Sequence, residues 1–135
     1  MTTPAIEIQQ LHHRYGKSEA LAGLSLTVEP GQCYGFFGRN GAGKTTTIKC
    51  LLNLLRPDSG SVRVFGLDPV ADETAVKERI AYVPDVVAFY PWMTVREALD
   101  YLASFRPRWN RDLEASLLSR FGLDPRSPTA GLSKG

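Results

Sequence analysis

Cysteine is scarce: Cys33 and Cys50 are the only two in 135 residues. A secreted disulfide framework would need more of them at patterned spacing, so both are expected to be small core residues in a reducing compartment. Long apolar runs are missing as well. No stretch approaches the roughly 18 uninterrupted apolar residues of a membrane span, and Met1-Thr2-Thr3-Pro4 lacks a basic segment leading into an apolar one. The expectation is a chain neither secreted nor membrane-spanning by itself. Charge of one sign is absent too. The 16 basic and 14 acidic residues are well mixed, for a net charge of +2. No Lys and Arg cluster is interleaved with aromatics, so a nucleic-acid partner gains no support. There are no internal repeats and no low-complexity runs. The only histidines, His12 and His13, sit side by side; paired on a strand end, they are expected to be solvated rather than metal-bound.

What is present suits one globular domain. Hydrophobic residues make up 43% and charged residues 22%, enough to bury roughly two-thirds of the unfolded surface. The chain is organised around Gly38-Arg39-Asn40-Gly41-Ala42-Gly43-Lys44-Thr45, followed by Thr46 and Thr47. This matches G-x-x-x-x-G-K-[ST] in full. Upstream, Cys33-Tyr34-Gly35-Phe36-Phe37 is predicted as a buried parallel strand. Downstream, Ile48, Leu51, Leu52 and Leu55 follow helical spacing. In that setting the glycines let backbone N–H groups wrap a polyphosphate, and the helix dipole favours the same anion. Lys44 should reach the β- and γ-phosphates and the Thr45 hydroxyl should ligate Mg²⁺. The alternative is a Gly-rich turn that happens to precede Lys-Thr. At average residue usage the bare pattern arises in only roughly half a percent of chains this long, which favours the phosphate reading.

Along the chain, residues 5–11 are predicted as a strand with one face in water, followed by a turn at Arg14-Tyr15-Gly16-Lys17. A second strand is expected over 21–28, ended by Pro30-Gly31. The helix after the phosphate loop should run to about Leu55, stopped by Pro57. Asp58-Ser59-Gly60 then turns into a strand at 61–65. A short helix is expected between Asp68 and Arg79, and a further apolar strand at Ile80-Ala81-Tyr82-Val83. Phe89, Tyr90, Trp92 and Met93 then crowd around Pro91. They either pack under the next helix or form a docking surface for a protein partner. Thr94-Val95-Arg96-Glu97 is a capping box. It opens a helix striped with Val95, Ala98, Leu99, Leu102 and Phe105. Asn110 caps another helix bearing Leu113, Leu117, Leu118 and Phe121, stopped at Gly122. These two helices read as a helical insertion rather than part of the sheet.

The order of an aromatic near residue 15, a Pro-Gly turn, the phosphate loop, Pro57-x-Ser59-Gly60, Tyr82-Val83-Pro84 and Leu132-Ser133-x-Gly135 resembles the nucleotide-binding domain of ABC transporters. The resemblance covers essentially the whole chain. It implies an α/β fold, a P-loop NTPase core with an N-terminal antiparallel β subdomain and a helical insertion. Its parts would be 1–37 (strands leading to the loop), 38–84 (P-loop core) and 85–135 (loop and helical portion up to the signature). By the same resemblance Tyr15 would stack on adenine, and Gly38, Arg39, Asn40, Gly41, Ala42, Gly43, Lys44, Thr45 and Thr46 would hold the phosphates of ATP. Leu132, Ser133 and Gly135 would form the signature that reaches the γ-phosphate held by a second ATPase subunit, in a homo- or heterodimer. The implied partner is a membrane permease, with this protein cytoplasmic and peripheral at the inner face of the membrane.

Two positions depart from the family pattern. Asp85 stands where Gln is usual; it is shorter and charged, and could approach Mg²⁺ directly or through water. Lys134 stands in the signature where Gly is common, a variant that resembles bacterial exporters whose ATPase is a separate polypeptide. The family also needs an apolar strand ending in Asp-Glu, and later a γ-phosphate-sensing His. Both follow the signature, and these 135 residues contain neither. The chain alone is therefore expected to bind nucleotide without hydrolysis. It is read as the front part of an export ATPase, with a nucleotide-binding remnant or pseudo-enzyme as the alternative. Another P-loop enzyme, such as a nucleotide kinase, is disfavoured by Leu132-Ser133-Lys134-Gly135.

Overall fold

The computed structural model describes residues 2–86 and 89–132. They divide into two compact units, residues 1–81 and 82–135.

The first unit is built on a three-stranded antiparallel sheet. Strand β1 spans Ile6–Tyr15 and pairs on one side with β2, Ser18–Val28. On its other side it pairs with the last of the three, Ser59–Val64, giving a central β1. Both leading strands are longer than the sequence suggests, because the turn is only Gly16-Lys17 and Tyr15 belongs to the strand. A bulge at Gln10 hid this. Ile6 and Ile8 alternate normally, but Gln10 takes a positive φ of 45°, and the register shifts on both sides, from Ile8↔Leu26 to Leu11↔Leu24 and from Gln9↔Ser61 to His12↔Ser59. One extra residue on a strand moves all later side chains to the opposite face. Leu11 and His13 therefore join Ile8 on the buried side. Ser25 Oγ holds the bulge, accepting from Gln10 N at 2.8 Å and from Gln10 Nε2 at 3.0 Å.

Helix α1, Lys44–Leu51, lies against this sheet. Its Cys50 joins Ile8, Leu11 and Leu21 in a buried cluster flanked by Leu24, Leu26, Leu51, Leu55 and Val62. Each such aliphatic side chain, when fully buried, contributes roughly 1.5–3 kcal/mol. The helix stops earlier than Leu55 because Asn53 enters the left-handed region (φ 55°), which Asn tolerates at a helix end. Strand β3 is Ser59–Val64, beginning two residues before the expected position. Between Asp68 and Arg79 only Glu73–Lys77 is helical, helix α2. Asp68 turns the preceding backbone instead, its Oδ1 accepting from Val70 N at 2.8 Å and Ala71 N at 3.3 Å.

Two expected strands are not formed. Residues 33–37 and 80–83 have no regular structure, and Tyr34, Phe37, Tyr82 and Val83 are exposed. A parallel strand exists only through neighbours that take up its backbone groups, and none pairs with these segments among the described residues. Cys33 is exposed for the same reason, which corrects its reading as a core residue. Cys50 is buried as expected; burial, then the charge of Asp58, pushes its thiol pKa up.

The second unit holds α3, Val95–Ser104, and α4, Arg111–Arg120. The Thr94 capping box is complete, with Glu97 N donating to Thr94 Oγ1 and Thr94 N to Glu97 Oε2. Asn110 Oδ1 caps α4 by accepting from Leu113 N at 2.9 Å. A single 3₁₀ turn, Thr129–Gly131, follows.

Candidate functional site

The phosphate loop is shaped by its contact with β2. Gly43 has φ 85°, and a Cβ there would overlap the Ala20 carbonyl and come within 2.7 Å of Leu21 Cδ2. Only glycine lets the loop approach the strand so closely. Within the loop, Ala42 N donates to Arg39 O at 3.1 Å. Gly43 is also the N-cap of α1 and offers no side chain to the first turn, which carries no acidic residue. The leading N–H groups of a helix have no carbonyl partner within it. Here they open beside Lys44, giving a concentration of positive potential suited to a phosphate. The Lys44 ammonium donates to the carbonyls of Gly38 and, at 2.9 Å, Arg39.

The three threonines that follow are not equivalent. Thr45 is exposed, leaving its hydroxyl accessible. Thr46 is buried (7% exposed), and Thr47 (1%) donates its hydroxyl to Gly43 O at 2.9 Å. Thr47 thus braces the loop from within, a role the motif alone did not assign.

Tyr15 is half exposed and lies at the end of the β1–β2 hairpin, paired with Ser18. Ala20, which packs on Gly43, is two residues further along β2. At about 3.3 Å per residue, the hairpin end and the phosphate loop are neighbours along one short piece of strand. Beneath Tyr15 sits His13, 7% exposed, which corrects its reading as solvated. His12 is partly exposed, with Nδ1 3.9 Å from Glu19 Oε1. No group of three or more His, Cys, Asp or Glu suited to a metal occurs among the described residues.

In the second unit, Asp85 is exposed. Of the aromatic cluster, Trp92 is 73% and Tyr90 53% exposed, with their rings stacked 4.6 Å apart. These rings are not packed under α3. Their backbone is nonetheless fixed: Thr129 N donates to Met93 O at 2.8 Å and Thr129 Oγ1 to Tyr90 O at 3.1 Å. Between the helices, buried Glu114 accepts from Arg96, from Trp109 Nε1 at 2.6 Å and from Arg111 at 2.9 Å. Burial pushes its carboxyl pKa up, but these hydrogen bonds and charges outweigh it and hold the group below the ordinary glutamate range. The apolar stripes are only partly covered. Leu99, Leu113, Leu117 and Phe121 line a cavity of about 540 Å³. Leu132 is exposed, while Ser133 and Gly135 lie outside the described residues.

An uncapped helix N-terminus behind a glycine loop with Lys44 defines a phosphate-binding class of site, and comparisons with known proteins narrow the class. The ABC transporter family profile matches residues 21–135. The Nod factor export ATP-binding protein I of Burkholderia pseudomallei is 41% identical over 106 residues, covering 78% of this chain and 34% of that protein. The daunorubicin/doxorubicin resistance ATP-binding protein DrrA of Streptomyces peucetius is 40% identical over 124 residues, covering 90% of this chain and 38% of that protein. A solved ATP-binding subunit of an ABC transporter superposes with a TM-score of 0.84 at 27% identity, over 96% of this chain and 56% of that one. The chain belongs to the ABC transporter family, as an ATP-binding domain of partial α/β P-loop fold. It spans about a third of the length of these curated relatives. No helix among the described residues is long and apolar enough to cross a membrane.

Proposed function

We propose that this chain supplies the ATP-binding portion of an ATPase subunit that drives export through a partner membrane permease. The observation that carries the reading is the uncapped start of α1 at Gly43 and Lys44, packed against Ala20. The names of the two relatives, one an export protein and one a resistance protein, favour export over import.

In this reading Gly38 to Thr46 enclose the phosphates. Lys44 exchanges the Gly38 and Arg39 carbonyls for the β- and γ-phosphate oxygens. The exposed Thr45 hydroxyl fits a Mg²⁺ ligand, because it has no competing partner among the described hydrogen bonds, whereas Thr47 is already committed to Gly43. Asp85 is a second candidate toward the metal, its carboxylate suiting a hard cation. Magnesium, when bound, neutralises charge on the phosphates and orients the terminal group. Tyr15 offers an exposed ring face to the base. Leu132, Ser133 and Gly135 act on nucleotide held by a second ATPase subunit, and the protein works at the inner face of the membrane. No residue of this chain is assigned the water-polarising role.

The test is Mg-ATP binding and hydrolysis by the native protein isolated with its membrane partner. Lys44→Ala should abolish ATP binding while leaving the circular dichroism spectrum unchanged. Equal affinity in mutant and parent would remove the phosphate-loop assignment.

A further inference from the structure

We infer that His13 is a positioning residue for the base-stacking ring of Tyr15. The inference rests on the reading of Tyr15 as the base platform. Past the Gln10 bulge, Leu11, His13 and Tyr15 share one face of β1, with exposures of 0%, 7% and 50%. His13 is thus the layer between the core and the exposed tyrosine. Its ring meets that of Tyr15 edge-on, centroids 4.7 Å apart at 85°, a favoured arrangement because the positive edge of one ring faces the negative face of the other.

The imidazole does this by shape rather than by hydrogen bonding. Both ring nitrogens are buried without a hydrogen-bond partner among the described residues. The nearest carboxylate oxygen, Asp58 Oδ1, is 3.6 Å from Nδ1, beyond a normal hydrogen bond. The other oxygen of that carboxylate, Asp58 Oδ2, accepts from Arg14 N at 2.8 Å. A buried polar ring without a hydrogen-bond partner is costly to keep, and among the described residues the ring contact it makes is with Tyr15. Fixing the Tyr15 ring before nucleotide arrives spares the ordering cost of that side chain on binding. A phenylalanine could make the same edge contact; a leucine would fill the volume without it.

The experiment titrates the intact native protein with ATP and with inorganic tripolyphosphate, both in Mg²⁺ buffer. Tripolyphosphate has the phosphates but no base, so stacking affects only ATP. His13→Leu is expected to weaken ATP roughly two- to tenfold and leave tripolyphosphate unchanged, while His13→Phe keeps the parent's ratio of the two affinities. An unchanged ratio in His13→Leu, or equal loss of both ligands in either variant, overturns the inference. Tyr15→Ala separates it from the reading beneath it. If Tyr15→Ala leaves the ratio unchanged, Tyr15 is not the base platform and both fall. If Tyr15→Ala lowers the ratio and His13→Leu does not, only the role of His13 falls.

Discussion

The carbonyl of Ala20 on β2 occupies the space that a methyl group on Gly43 would need. The phosphate loop is therefore seated against the sheet through close approach of its own backbone to the Ala20 carbonyl and the Leu21 side chain. Gly43→Ala should displace the loop and lower Mg-ATP affinity by tenfold or more, on top of about 1–2 kcal/mol for forcing a side chain into a left-handed conformation. Isothermal titration and a urea melt report the two effects separately; a variant that binds like the parent would show that the loop does not need this seat.

Gly60 makes the matching prediction on the other side of β1. It has φ 90°, and a Cβ there would overlap the Gln10 carbonyl at the bulge. Gly60→Ala should destabilise the sheet by about 2 kcal/mol or more, seen as a lower urea midpoint. Because the bulge sets the face on which His13 and Tyr15 emerge, ATP affinity should fall more than tripolyphosphate affinity.

Glu114 predicts an acid response of the helical unit. Its pKa is depressed in the folded chain. The stability it contributes is therefore present above the unfolded value of about 4.3 and is lost as pH falls through the lower folded value. Glu114→Gln should reduce stability at neutral pH by about 2 kcal/mol, since the charged hydrogen bonds from Arg96 and Arg111 weaken. It should also flatten the loss below pH 4.3. Trp109, bonded to Glu114 at 2.6 Å, reports both through its fluorescence; an acid profile identical to the parent's would show that Glu114 carries no linkage.

Thr94 should matter locally. Thr94→Ala removes the cap on Glu97 N and the hydroxyl that donates to Glu97 Oε2 at 2.9 Å, costing about 1 kcal/mol. Hydrogen exchange at the first turn of α3 should rise while exchange in β1 stays unchanged. Equal protection in mutant and parent would mean that α3 is held by packing alone.

The local features were legible because their physics is local. The phosphate loop, the Thr94 capping box and the Asn110 cap each depend on residues within one or two turns of each other, and spacing in the sequence is enough to specify them. The segments at 33–37 and 80–83 were misread for the opposite reason. Their apolar composition suits a strand, but a strand is a pairing, and composition cannot supply the partner. The burial of His13 was also invisible. Two adjacent histidines in a polar stretch give no sign of which one faces inward until the bulge is known.

What the sequence determined by itself is the local motif: a glycine-lined loop ending in Lys44 and Thr45, with the spacing of a phosphate-binding loop. What only the tertiary structure decided is how that loop is aimed. The bulge at Gln10, with its positive φ, is held by the Ser25 hydroxyl on one strand and by the close approach of Gly60 to the Gln10 carbonyl on another, 15 residues and about 50 residues away along the chain. It is this long-range fit that turns His13 under Tyr15, because a one-residue bulge reverses the face of everything after it.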